Sequence, residues 1–133
     1  MSVRVYLPAT SGLLAVLREQ GRLPGPVRAH AVTGALREGW PEADEESLEY
    51  AATMAAAAAS AALRGEDDKP RRYVVAVDLP EVAPLAEEDP TLVEAGTDVV
   101  LERVASILAD TEDDADEDDD LAWFATQELP YLG

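Results

Sequence analysis

The chain has no cysteine, one histidine, one lysine and seven aromatic side chains among its 133 residues. Without cysteine there are no disulfides, thiolate metal sites, iron–sulfur clusters or cysteine nucleophiles. His30, standing alone, excludes a multi-histidine metal site. The eight glycines form neither G-x-G-x-x-G nor G-x-x-x-x-G-K-[ST], so the phosphate-cradling loops of nucleotide sites are missing. No stretch approaches the ~20 apolar residues that span a bilayer. The first residues, Met1–Pro8, lack the apolar core of a signal peptide. A cytoplasmic protein without membrane association is expected.

Charge of one sign, by contrast, is abundant. The chain carries 28 acids against 10 bases, a formal charge of −18. Residues 1–80 are nearly balanced, with 11 acids and 9 bases, whereas residues 81–133 hold 17 acids and only Arg103. Such a field repels phosphate backbones and disfavours direct nucleic-acid binding. Its complement is a basic protein surface; its blander use is solubility. The preference for arginine over lysine and the wealth of alanine resemble a GC-rich coding bias, as in actinobacteria or haloarchaea. With 47% hydrophobic residues the chain can bury a core, and its length suits one domain spanning 1–133.

Val3, Val5 and Leu7 alternate with polar neighbours, as in a strand. Thr10 or Ser11 can cap a following helix that carries Leu13, Leu14 and Leu17, with Gly21 closing it. Val27–Thr33 reads as a second strand. Asp44 can cap a long helix running to about Arg64, with Leu48, Ala51, Ala52, Ala55, Ala59, Ala62 and Leu63 on one face and Tyr50 and Met54 opposite. Arg72–Leu79 is apolar on both faces, which predicts a central strand. Thr91–Glu94 suits a short edge strand, and 99–109 divides into a turn and a strand at Val104–Ala109. Residues 110–120, nine acids in eleven positions, are expected to form a flexible loop, because like charges repel. Leu121 to Leu129 is expected to be a C-terminal helix stopped by Pro130. The predicted fold is α+β, a two-layer sandwich of order β-α-β-α-β-β-β-α. Its mixed sheet has four or five strands, with helices packed on one face.

Val3–Thr10, Glu49–Ala52, Tyr73–Asp78 and Trp123–Leu129 together resemble an uncharacterised family of small acidic actinobacterial proteins. The resemblance covers most of the chain in order. It implies a strand over Ser106–Asp110 ahead of an acidic pair. It brings no activity, cofactor or catalytic residue with it.

The acids at alternating positions from Asp110 to Asp120 do not match a calcium loop, which needs glycine sixth and glutamate twelfth. A register starting at Asp110 places Ala115 and Leu121 there, so no metal or cofactor is expected. Asp78 and Asp110 each follow an apolar strand, and would converge if those strands were parallel neighbours. With His30 they are the weak catalytic candidates for a small metal-dependent enzyme or ligand-binding domain. A helix over 121–129 would bury Leu121, Ala122, Phe124, Ala125 and Leu129 and turn Trp123 outward with Gln127 beside it. An indole next to Asp116, Asp118, Asp119 and Asp120 suits an arginine-rich partner through ion pairing and cation–π contact. The leading expectation is therefore a non-enzymatic acidic interaction protein that docks on a basic protein surface. The alternatives are the small enzyme above and a nucleic-acid-mimicking acidic protein.

Overall fold

The alternation at the start of the chain produces strand β1 (Val3–Ala9), followed by helix α1 (Ser11–Gln20). Thr10 caps α1 by accepting the Leu13 N–H at 3.2 Å. Gly21 ends it at φ +74°, a left-handed conformation that glycine adopts without steric cost. Two residues of β2 (Arg22–Leu23) lead into β3 (Val27–His30), then α2 (Gly34–Gly39) and the long α3 (Glu45–Leu63). Asp44 caps α3 through the Ser47 N–H at 2.8 Å, and Glu45 and Glu46 occupy the first turn, where the helix dipole favours negative charge. Strands β4 (Tyr73–Leu79), β5 (Ala83–Pro84), β6 (Leu92–Ala95), β7 (Val99–Val100), β8 (Val104–Ala109) and β9 (Ala122–Phe124) follow, with a 3-10 helix at Thr126–Tyr131. These assignments come from a computed structural model that describes residues 2–132.

The main sheet has the order β5-β6-β3-β1-β4-β8-β9, and every neighbouring pair is antiparallel. β2 and β7 form a separate two-stranded ribbon. Directly opposed residues of an antiparallel pair share a face, so the register sorts the core into two halves. Val5 opposes Val77, Leu7 opposes Val75, and Ala9 opposes Tyr73. These side chains meet Leu14 and Leu17 of α1, Leu23, Val99 and Leu129 in the larger cluster. On the other face Tyr6 opposes Ala76 and Pro8 opposes Val74. There Tyr6, Val74 and Ala76 pack against Ala52, Ala56 and Ala57 of α3. Alanine lets the helix approach closely enough for the buried Ser60 hydroxyl to donate to the Ala9 carbonyl at 2.6 Å and accept the Tyr73 N–H at 2.9 Å.

The α+β class, the capped helices, the central strand β4 and the turn before β8 agree with the sequence. Several details differ. The sheet is antiparallel rather than mixed, and has seven strands rather than four or five. The extra strands β5 and β9 are two and three residues long, too short to show an alternating pattern. The helices lie on both faces, because α1 returns over the Val5–Leu7 face while α3 covers the Tyr6 face. The buried stripe of α3 is Leu48, Ala52, Ala56, Ala57 and Ser60; Ala62 and Leu63 are exposed. Leu121–Leu129 does not form one α-helix: its first part is strand β9, and the 3-10 helix Thr126–Tyr131 runs through Pro130 instead of stopping before it. Ala122–Phe124 instead pairs with Ala109–Ile107, an alternation that sends Phe124 into the larger cluster and Leu121 to the α3 side. A nine-residue segment is too short to be a stable helix by itself, and the open edge of β8 supplies backbone partners directly.

The close approach of α3 is testable. Ala56→Leu should cost about 1–3 kcal/mol by overpacking. Ala58→Leu, on the exposed side, should stay within about 0.5 kcal/mol of wild type in urea denaturation.

Candidate functional site

β4 begins immediately after Arg72, and β8 ends immediately before Asp110. Because the two strands run antiparallel with Tyr73 opposite Ala109, these residues face each other at one end of the sheet. Both are buried. Arg72 Nε and Nη2 donate to the two Asp110 carboxylate oxygens at 3.0 and 2.8 Å, and the Arg72 backbone N–H adds a bond at 2.8 Å. The remaining donors reach into the acidic segment: Nη1 to the Glu117 carbonyl at 3.0 Å and Nη2 to the Asp119 carbonyl at 2.8 Å. Burial alone would raise the Asp110 carboxyl, but the hydrogen bonds and charge of Arg72 outweigh it and hold the group below the usual carboxylate range.

The acidic loop is therefore anchored, where charge repulsion alone predicted flexibility. Asp114 N–H donates to the Pro70 carbonyl at 2.9 Å, and Arg71 pairs with Asp113 at 2.7 Å. Asp116 accepts the Asp118 N–H at 2.9 Å, and Asp119 accepts the Asp116 N–H at 3.2 Å, so these two carboxylates shape their own turn. At its end the loop meets α3, where the Tyr50 hydroxyl donates to Asp120 Oδ1 at 2.7 Å. That bond, together with the nearby Asp118 charge, raises the Tyr50 phenol above its ordinary value.

Beyond Asp120 the chain enters β9, where Trp123 opposes Leu108 on the α3 side of the sheet. The residue is 64% exposed. It forms one wall of a groove of about 420 Å³ between α3 and the β8–β9 edge. Tyr6, Met54, Leu108 and Leu121 line the groove, Tyr50 stands across it, and the carboxylates of Glu46, Glu49 and Asp120 lie around it. Glu46 and Glu49 have no ion pair or side-chain hydrogen bond among the described residues. Among the described residues the one cation lining the groove, Arg4, is already held by Asp78 at 2.7 and 3.2 Å. Negative charge and bare aromatic faces thus share one concavity.

The other predicted residues lie apart. Gln127 is exposed on the 3-10 helix and does not line the groove. Asp116, Asp118 and Asp119 are exposed on the anchored loop, leaving Asp120 as its one member in the groove. Asp78 and Asp110 do not converge: β4 and β8 are antiparallel, so the two carboxylates sit at opposite ends of the sheet, about 20 Å apart along six residues of strand. Each is satisfied by its own arginine. His30 is buried on β3, with Nδ1 2.7 Å from the Thr91 hydroxyl, which itself donates to Asp89 at 2.7 Å. Burial pushes its imidazole below the ordinary value, and Asp89 only partly offsets this. The order histidine–threonine–aspartate places the hydroxyl between the other two groups, which satisfies a core histidine rather than activating a nucleophile. Among the described residues no cluster of histidine, aspartate and glutamate could hold a metal ion, and no helix is long and apolar enough to cross a membrane.

Tyr50 was read from sequence only as lying opposite the buried face of the long helix, and neither it nor Glu46 and Glu49 were read as site residues, although the signal was present. Glu46, Glu49, Tyr50 and Thr53 follow the i, i+3, i+4, i+7 spacing of a second stripe along α3. The alanine-rich buried stripe obscured it.

A family model described as a family of unknown function (DUF6912) matches residues 3–132, and the chain belongs to that family. No curated protein and no solved structure matches it.

The buried pair sets the next expectation. Arg72→Met strands Asp110 in the interior and should cost about 3–5 kcal/mol, while adding Asp110→Leu should recover part of that loss. In both variants amide exchange at 116–120 should rise, since the carbonyl anchors are gone. The stabilisation from Asp110 is complete above its unfolded value of about 3.9 and is lost as pH falls through the lower folded value. Urea titrations should accordingly show the gap between wild type and the double variant narrowing below about pH 4. A gap unchanged by acid would assign the effect elsewhere.

Proposed function

We propose that this member of the DUF6912 family is a non-enzymatic docking protein of the cytoplasm. Its acidic flank binds a basic surface of a protein partner, and Trp123 is the anchor. The observation that carries this reading is the groove in which an exposed indole stands beside unpaired carboxylates. An exposed tryptophan on an anchored strand supplies a large contact area at small entropic cost, the property of binding hot spots. The carboxylates supply attraction and orientation. The formal charge of −18 disfavours direct binding to nucleic acid.

Exposed charges interact over about 8 Å at 0.15 M salt, so binding should weaken steeply as salt rises. Immobilised wild type should recover a specific partner at low salt and lose it at high salt. Trp123→Ala should weaken the purified complex by about 2 kcal/mol, roughly 30-fold, measured by calorimetry. A nucleic-acid mimic would need the carboxylates but not the indole, so dependence on Trp123 separates that role from this one. Equal binding by wild type and Trp123→Ala would overturn the assignment of the anchor.

A further inference from the structure

Tyr50 and Glu46 border a second hollow. On the side of Tyr50 away from Trp123, Trp40, Asp44, Glu46 and Tyr50 line a concavity of about 550 Å³. Trp40 is 42% exposed. Its backbone is anchored rather than loose: Trp40 N–H donates to the Arg37 carbonyl at 3.3 Å, and its own carbonyl accepts the Ala43 N–H at 3.1 Å. Arg37 in turn grips Glu45 with two bonds of 2.9 and 2.8 Å, fastening α2 to the first turn of α3. The positive end of α3 contributes roughly half a charge here. Arg37 neutralises Glu45, while Asp44 caps α3 through the Ser47 N–H and, among the described residues, neither Asp44 nor Glu46 has a cation paired with it, so the hollow is negative on balance.

The two hollows therefore repeat one chemistry on either side of Tyr50. Each joins an exposed indole to carboxylates that no cation occupies. Resting on the docking reading above, we propose that the occupant is a linear arginine-bearing segment that straddles Tyr50. One guanidinium lies against Trp123 beside Glu49 and Asp120, and a second lies against Trp40 beside Asp44 and Glu46. Arginine suits both hollows better than lysine, because a planar guanidinium stacks on an indole while its edge donates a fork to a carboxylate. A linear segment fits because the hollows are open and adjacent, with Tyr50 and Glu46 as their shared rim. Filling one hollow raises the effective concentration of the second arginine at the other, so two modest contacts combine into a specific one.

Trp40 and Trp123 are the only tryptophans, so Trp123→Phe and Trp40→Phe leave one fluorophore in each hollow. The probes are synthetic glycine–serine peptides bearing one arginine, or two separated by one to five residues, with lysine counterparts, titrated into the full chain. Both fluorophores should respond to the two-arginine peptide at one preferred spacing. That peptide should bind at least about tenfold tighter than the one-arginine peptide. Trp40→Ala, with its fold verified by circular dichroism, should abolish the gain, and the one-arginine peptide should then bind at the Trp123 hollow alone, as read from the Trp123 fluorescence. Lysine should bind several-fold more weakly.

Loss of affinity in Trp123→Ala with none in Trp40→Ala overturns the two-hollow inference and leaves the docking reading standing. Binding indifferent to both indoles, with equal gain at every spacing, is bulk polyelectrolyte attraction and overturns both.

Discussion

Arg72 is buried, charged and surrounded by oxygen, and the path of the last quarter of the chain depends on it. Nine acids in eleven residues would ordinarily spread into solvent. Here the guanidinium binds the Asp110 carboxylate at the start of the run and the Glu117 and Asp119 carbonyls near its end. The loop is thereby folded back on itself, with the carboxylates after Asp110 exposed and the Glu117 and Asp119 carbonyls turned onto Arg72. Replacing such a pair with apolar residues is often no loss in stability. What apolar residues cannot replace is the trajectory. Because Asp119 is held, Asp120 reaches Tyr50, β9 reaches the edge of β8, and Trp123 faces α3.

The second constraint is one of width. Seven strands at about 4.8 Å spacing make a sheet roughly 29 Å across, whereas a helix with its side chains covers only about 10 Å. The Val5–Leu7 face is closed by several elements: α1, the β2–β7 ribbon and the C-terminal 3-10 helix. The opposite face has α3 as its main cover, seated low on alanine over β1 and β4. A close, narrow helix on a broad sheet leaves the β8–β9 flank open beside it. The groove follows from packing geometry, and its chemistry follows from which side chains line that flank.

The sequence revealed most clearly what is local. The caps Thr10 and Asp44, the left-handed Gly21, the alternation of β1 and the doubly apolar β4 depend on neighbours a few residues away. A helix over 121–129 would have turned Trp123 outward; the residue is exposed, but from a strand. A stripe of Leu121, Ala122, Phe124 and Ala125 fits a helical wheel, and only the exposed edge of β8 decides for pairing instead. Arg72 was read merely as the first residue of a strand. Its partner lies 38 positions away, and no local pattern marks an arginine for burial. Asp78 and Asp110 would have converged only on parallel strands; the strands are antiparallel, and alternation does not encode strand direction. Trp40 and Tyr50 become neighbours only when the Arg37–Glu45 fork folds α2 against α3.

A charge of −18 is a burden on the folded state, since compaction brings like charges together. Much of the positive charge present is spent on internal pairs: Arg4, Arg37, Arg71 and Arg72 each hold a carboxylate within 3 Å. The carboxylates left without cations include Glu46 and Glu49, which stand beside bare aromatic rings. A cationic partner seated there would relieve repulsion and cover apolar surface in the same step. Any ligand that binds only the folded state stabilises it, so docking and stability are linked at this face. The same linkage limits the partner's chemistry. A purely apolar segment would bury the carboxylates unpaired, and a purely ionic one would leave the indole in water. A guanidinium answers both demands, because its face is weakly hydrated and its edge donates hydrogen bonds.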